Sequence, residues 1–331
     1  MARVAVIGTT SWGTTLAVLF ARAGSDVAFL ARTLDEAAVL NAARENVRHR
    51  PGLAFPDSLA ATIDLEALAT ADLVVFAVPS ASLRTNLVRT APAIAPEATV
   101  LSAVKGIETD TGLRMSEVIA SFGVGAERLL ALSGPNFAAE IAKGLPAATV
   151  IAGPDAERAR QAQALFNGPT FRVYTSSDIV GVELGGALKN VVAIVCGLAD
   201  GLGFGENAKA ALITRALAEI SRLGVAAGAQ PMTFLGLAGI GDLVLTCGSN
   251  ISRNRQLGLA LAQGKTLAEA LEAIDGVVEG VVTAKAAPAL AHRYNVELPI
   301  CASLYAVLYE GKSAIEAGKE LMARTAKAEF E

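Results

Sequence analysis

The chain opens on a short β-branched run, Arg3 to Gly8 (RVAVIG), that ends in glycine. The turn TTSWG follows, then an amphipathic helical pattern from Thr14 to Ala23. Gly24 closes that helix, and Asp26 to Ala31 (DVAFLA) is again strand-like. Strand, glycine turn, helix and strand within about 30 residues is the size of a βαβ unit. A helical pattern runs from Leu34 to Asn46. Strand-like runs recur at Asp72 to Val78, Thr99 to Val104, Leu129 to Leu132 and Ala148 to Ala152, most of them separated by helical stretches. Uniformly apolar strands alternating with helices predict a doubly wound, mostly parallel sheet covered on both faces. From Ile179 onward the pattern changes to long apolar helical stretches, at 179–199, 207–227, 252–263, 266–274, 280–293 and 300–309. The expected organisation is an α/β domain over 1–178 followed by an all-helical domain over 179–331.

The glycine turn reads Gly8-Thr9-Thr10-Ser11-Trp12-Gly13, so the dinucleotide fingerprint G-x-G-x-x-G lacks its middle glycine. It is either a pyrophosphate cradle at a helix N-terminus or an ordinary tight βα turn. Open α/β sheets bind ligands outside the carboxyl ends of their strands. Three polar clusters stand at predicted strand ends: Pro79-Ser80, Lys105-Gly106 and Ser133-Gly134-Pro135-Asn136. Lys105 there is either a solvated loop lysine or a ligand group.

In the helical half, ALKNVVAIVCGLA is apolar around most of a turn, yet it carries Lys189 with Asn190 beside it. A buried ammonium is unfavourable unless paired, and desolvation lowers its pKa. Lys189 either snorkels to the surface or faces a cleft as a proton-transfer group. Asp242 sits in a second apolar run, either as a helix cap serving Leu245 or as the partner of Lys189. Ser252-Arg253-Asn254-Arg255 opens a further helix, with Ser252 or Ser249 as its cap. Two arginines in a first turn oppose the helix dipole unless an anion such as a phosphate binds there, or they are simply solvated.

Composition narrows these readings. A 331-residue chain with 53% hydrophobic residues can bury large cores, and a net charge of −4 argues against a nucleic-acid partner. The three cysteines, Cys196, Cys247 and Cys301, are far apart and form no CxxC, so neither a disulfide nor a metal site is expected and a reducing, cytoplasmic compartment fits. The N-terminus lacks a signal-peptide pattern. The longest uncharged run, Leu223 to Gly241, contains Pro231 and several glycines; it reads as helix end, loop and turn, and no stable membrane insertion is expected. Only His49 and His292 exist, both beside arginines, so lysine must carry any acid–base work.

Several segments together resemble one family: SWGT at Ser11, VKG at Val104, SGPNFAAE at Ser133 and VELGGALKNVVAI at Val182. GLGFGENAKAALITR at Gly201, GIGDLVLTC at Gly239 and SRNRQLG at Ser252 complete the set. The family is the bacterial-type NAD(P)-dependent sn-glycerol-3-phosphate dehydrogenase, and the resemblance spans essentially the whole chain. It implies a Rossmann-like first domain and reversible reduction of dihydroxyacetone phosphate to sn-glycerol 3-phosphate with NADP or NAD, supplying the glycerophospholipid backbone. It also implies a homodimer. By the same resemblance Lys189 is the proton-transfer lysine, aided by Lys105 and Asp242. Lys105, Gly134, Asn136, Lys189, Asn190, Asp242, Ser252, Arg253 and Asn254 line the substrate pocket. Gly8, Ser11, Trp12, Gly13, Arg32, Lys105, Ala138, Arg253, Val277 and Glu279 contact the cofactor.

Two departures stand out. Thr10 replaces the second fingerprint glycine, which predicts a less close approach to the pyrophosphate, and Asn136 stands where many members have Ser. The second strand ends in Arg32-Thr33, with Asp35 and Glu36 beyond it in a helix start. With no carboxylate at the strand end, Arg32 is expected to fork onto a 2′-phosphate, or else to stack on the adenine, and NADPH to serve at least as well as NADH. Two other readings are a related two-domain hydroxy-acid reductase, which needs no substrate phosphate, and an inactive nucleotide-sensing protein.

Overall fold

The computed structural model describes residues 1–326, 328 and 329. Its strands are β1 (Arg3–Ile7), β2 (Asp26–Leu30), β3 (Glu45–Asn46), β4 (Arg50–Ala54), β5 (Leu59–Thr62), β6 (Leu73–Phe76), β7 (Thr99–Ser102), β8 (Leu129–Ser133), β9 (Ala147–Ala152) and β10 (Phe171–Ser176). One sheet of eight strands has the order β10-β9-β8-β7-β6-β1-β2-β5, and β3 pairs with β4 as a small antiparallel ribbon. Neighbours in the sheet run parallel, except that β9 lies antiparallel to β8.

Alternate residues of each central strand enter different cores. Val4 and Val6 of β1 pack on one face with Leu73 and Val75 of β6; Ala5 and Ile7 pack on the other with Val74 and Phe76. Helices Ser11–Arg22 and Ala156–Ala164 cover the first face, and Leu83–Thr90 and Met115–Ala120 cover the second. Burial on both faces is why these strands read as unbroken apolar runs. The chain winds from β1 out to β2 and β5, then returns to β6 on the opposite side of β1. The reversal puts the topological switch point between β1 and β6, where such sheets bind ligands.

The second half is built on one helix, Ile179–Gly201, buried for nearly its full length. Asp178 caps it by accepting from the Gly181 amide at 2.9 Å, and the same carboxylate receives the Gln230 amide and the Thr233 hydroxyl. Helices Glu206–Ala226, Asp242–Gly248, Arg253–Ala262, Glu279–Tyr294 and Pro299–Tyr309 surround it. The central helix is long and apolar enough to cross a membrane, but 83% of its most apolar window is buried inside the protein. The run Leu223 to Gly241 does resolve into helix end, a 3₁₀ turn at Pro231–Leu235 and a wide turn at Leu237–Gly241.

Several elements differ from the sequence reading, among them the helices Asp242–Gly248 and Ala314–Met322, which were not expected. The helical pattern drawn to Asn46 ends at Ala43, because Arg44 turns left-handed (φ 51°) and its guanidinium binds the Leu59, Phe55 and Pro56 carbonyls. The β3–β4 ribbon, β5 and β10 were not expected. β5 is alanine-rich and sits at the sheet edge, and β10 alternates buried and exposed side chains as the other edge strand. Edge strands lose one covered side, so they lose the continuous apolar signal that marks central ones.

Among the contacts that join the halves are two carboxylate clusters. The Arg114 guanidinium meets the Glu183 carboxylate at 2.5 Å, and Ser116 adds its amide at 2.7 Å and its hydroxyl at 2.6 Å. Glu279 accepts from the Ser80 amide at 3.2 Å and hydroxyl at 2.5 Å.

Candidate active site

The first part of the site is the glycine turn after β1. Gly8 holds φ +116°, and a side chain there would run into the Ala77 carbonyl at 2.8 Å. A Cβ on Gly13 would collide with the Gly8 carbonyl. Only glycine lets the helix start Ser11–Arg22 sit this close to β1 and β6. Thr10 stands where the fingerprint has its middle glycine. It takes an ordinary extended conformation (φ −77°, ψ 170°) and is the helix N-cap. Its hydroxyl accepts from the Gly13 amide at 3.0 Å and donates to the Ala77 carbonyl at 2.7 Å, so the side chain turns into the protein. Capping replaces glycine flexibility with a fixed turn.

Residues that sequence reasoning passed over brace this turn. Buried Asn46 donates to the Thr9 carbonyl at 3.0 Å and to the Thr14 hydroxyl at 2.8 Å. Arg50 donates to the Ser11 hydroxyl at 2.6 Å. The Trp12 indole N–H is buried without a hydrogen-bond partner among the described residues, a donor left available beside the turn. A helix N-terminus at a turn that admits no side chain at Gly8 or Gly13, with an orphaned donor beside it, suits a dinucleotide pyrophosphate.

At the end of β2 the structure corrects the sequence. Arg32 does not project unpaired: its Nε and Nη2 reach the Glu36 carboxylate at 3.2 and 3.0 Å, and its amide donates to the same group at 2.8 Å. Glu36 also accepts from the Thr9 hydroxyl at 2.8 Å. A carboxylate therefore does stand at the strand end. It comes from the first turn of the next helix and is paired with Arg32.

The second part lies where β7 and β8 end against the helical half. The Lys105 ammonium donates to the Gly134 carbonyl at 2.9 Å and meets Asp242 Oδ2 at 2.7 Å. Lys189 meets Asp242 Oδ1 at 2.5 Å and the Thr246 hydroxyl at 2.8 Å. Asp242 is fully buried and is the first residue of its helix; it caps nothing. Of the two readings for Asp242, the structure selects the charge partner. Lys189 is buried rather than snorkelling. Burial pushes its ammonium down from the usual 10.5, Asp242 opposes that fall and Lys105 adds to it, leaving Lys189 at about 8. Thr246, missed in the sequence, turns its own proton toward the Asp242 carbonyl at 2.7 Å. Its oxygen is thus left to accept from Lys189. The central helix reaches this place because Gly186 packs flat against Ser133; a Cβ there would strike the serine side chain.

A separate hydrogen-bond chain starts at Asn190, the residue after Lys189. Asn190 accepts from Asn254 at 2.9 Å, and Asn254 accepts from the Gly280 amide at 2.9 Å. Ser252 caps the helix that carries Asn254, as expected. The two arginines beside it separate. Arg255 is tied to Asp200 at 2.6 Å and to Asn250, so it is structural and the pair is not a double clamp. Arg253 is exposed and makes no hydrogen bond or ion pair among the described residues. Burial raises the Glu279 carboxyl, against the pull of Ser80 and Arg253. Val277 is exposed nearby in sequence, and Ala138 opens the short helix Ala138–Ala142, its carbonyl 3.5 Å from the Thr15 hydroxyl. Asn136 does not join the lysines: its amide meets the Thr149 hydroxyl of β9 at 2.9 Å. Cys196, Cys247 and Cys301 are buried free thiols.

The whole chain has counterparts among known proteins. Residues 3–159 match the family model described as NAD-dependent glycerol-3-phosphate dehydrogenase N-terminus, and residues 178–319 match its C-terminus. A relative from Corynebacterium aurimucosum, named glycerol-3-phosphate dehydrogenase (NAD(P)+), is 51% identical, covering 99% of this chain and 100% of the relative. One of the same name from Geobacter metallireducens is 50% identical over 99% of this chain and 98% of its own. The crystal structure of glycerol-3-phosphate dehydrogenase from Coxiella burnetii superposes with a TM-score of 0.92 at 37% identity, covering 97% of this chain and 98% of that one.

Proposed function

The chain belongs to the NAD-dependent glycerol-3-phosphate dehydrogenase family, and on that premise we propose that it reduces dihydroxyacetone phosphate reversibly to sn-glycerol 3-phosphate. It is an NAD(P)-dependent oxidoreductase. The observation that carries the reaction is the pair of lysines on one buried carboxylate at the sheet's carboxyl edge. The bound nicotinamide supplies the hydride for carbon 2 of the substrate. Lys189 protonates the carbonyl oxygen, and in the reverse direction the neutral amine takes the proton back. A lysine at about 8 can hold either state near neutrality. Asp242 holds the Lys189 head group in place, with Thr246 as a second anchor. Lys105 keeps the cluster net positive, which favours the oxyanion that develops as hydride arrives.

The phosphate end of the substrate falls to the helix start at Ser252, Arg253 and Asn254, because Arg253 alone of the two arginines is unengaged. Ser11, Trp12, Gly8 and Gly13 cradle the cofactor phosphates, and Ala138, Val277 and Glu279 follow it toward the lysines. The active unit divides at 178/179, supported by the change from sheet to central helix there. Separated buried thiols support a cytoplasmic enzyme, and its assembly as a homodimer is tested by sedimentation. The decisive assay follows cofactor absorbance with dihydroxyacetone phosphate and, separately, with dihydroxyacetone. Turnover with the phosphorylated ketone and little with the other is expected; equal rates would remove the phosphate clamp from the reading.

A further inference from the structure

Glu36 lies in the first turn of the helix Leu34–Ala43, capped by Thr33. Its carboxylate folds back over the end of β2, where it takes the Arg32 amide and guanidinium and the Thr9 hydroxyl. Thr9 belongs to the glycine turn, so this one carboxylate ties the turn to the second strand. Burial raises the Glu36 carboxyl, but the hydrogen bonds from Arg32 and Thr9 and the Arg32 charge bring it to about 2, and it is an anion at any working pH. The Arg32 side chain is 66% exposed and that of Glu36 20%, so the guanidinium is presented outward with the carboxylate against it.

The end of the second strand in a doubly wound sheet is where an acidic residue takes the ribose 2′-hydroxyl, or an arginine accommodates a 2′-phosphate. This chain has both groups there, bonded to each other. We propose that Glu36 is a specificity-determining residue for the cofactor: it accepts the 2′-hydroxyl of NADH and opposes the 2′-phosphate of NADPH, which meets an Arg32 whose Nε and Nη2 are already held by Glu36. The inference rests on the dinucleotide reading above. Two costs fall on NADPH alone. A dianion is brought beside a partly buried carboxylate, where like charges are poorly screened. The Nε–Nη2 fork of the guanidinium is also already engaged by Glu36, so it is not open for bidentate phosphate binding. NADH brings no like charge, and its hydroxyl needs only to take the place of the Thr9 hydroxyl on Oε1, which leaves the Arg32–Glu36 pair intact.

Equilibrium dissociation constants of NADH and NADPH, read by nicotinamide fluorescence at fixed ionic strength, test it without turnover. Glu36→Gln keeps the size and an acceptor for Thr9 while removing the charge. The NADPH-to-NADH affinity ratio should rise by about tenfold or more, the scale of one charge-assisted hydrogen bond. Arg32→Ala gives an independent arm: it leaves Glu36 unopposed, so NADPH binding should fall by about tenfold or more while NADH holds or improves. An unchanged ratio in a folded Glu36→Gln protein overturns the proposal. So does an equal loss for both cofactors in Arg32→Ala, which decides the matter should the Gln variant not fold. A native chain that binds neither cofactor overturns the dinucleotide reading itself, a result distinct from both.

Discussion

The Lys189 ammonium stands 2.5 Å from Oδ1 of Asp242, 53 residues further along the chain, and neither group is exposed. A buried lysine and a buried aspartate are each unfavourable alone and acceptable together. Because Lys105 takes the other oxygen of the same carboxylate, Asp242 is shared between two cations and fully compensates neither. Burial, with the Lys105 charge adding to it and Asp242 opposing it, keeps Lys189 low enough to exchange its proton.

Replacing Lys189 with Met should leave cofactor binding intact and lower turnover by at least ~100-fold, the low end for a general acid–base group. Steady-state kinetics beside cofactor titration check both halves. Near-normal turnover in a folded Lys189→Met protein would rule out the proton-transfer role.

The same lysine sets a pH dependence with opposite signs in the two directions. Reduction needs the ammonium, so kcat/KM for dihydroxyacetone phosphate should fall as pH rises through about 8. Oxidation needs the free amine, so its kcat/KM should rise through that pH. Profiles that move in the same direction would show that another group controls the rate.

Arg253→Ala should weaken substrate binding by roughly 1.5–3 kcal/mol, the range for a hydrogen bond to a charged group. Arg253 also faces the Glu279 region, so substrate and cofactor constants are measured separately. A substrate KM that does not change would remove Arg253 from the phosphate site.

Arg114→Ala should destabilise the fold by about 3–5 kcal/mol, because Glu183 is left as an unpaired buried carboxylate. Urea unfolding with an unchanged slope and a lower midpoint is the expected signature. A loss below ~1 kcal/mol would mean that the Ser116 hydrogen bonds suffice to hold Glu183.

Much of this protein was legible in the chain, and the reason is periodicity. Central strands covered on both faces must be apolar throughout, and a helix wrapped by others must be apolar around its turn. Hence β1, β2, β6, β7, β8 and β9 and the central helix could be located by pattern alone. Lys189 and Asp242 were visible because a charge in such a run is costly unless partnered. Cap residues such as Ser252 act on amides within a few positions, so they too were readable.

What only the tertiary structure decided depends on contacts between distant segments. No pattern announces that Asn46 braces the glycine turn, that Thr246 anchors Lys189, or that Arg255 belongs to Asp200 while Arg253 is left unengaged. Glu36 is the clearest case. Along the chain it lies beyond the strand end in a helix, and in space its carboxylate returns to the strand end because the Arg32 amide, the guanidinium and Thr9 converge there. The local pattern decides which elements form, whereas the polar partners that charged groups find are chosen by how those elements pack.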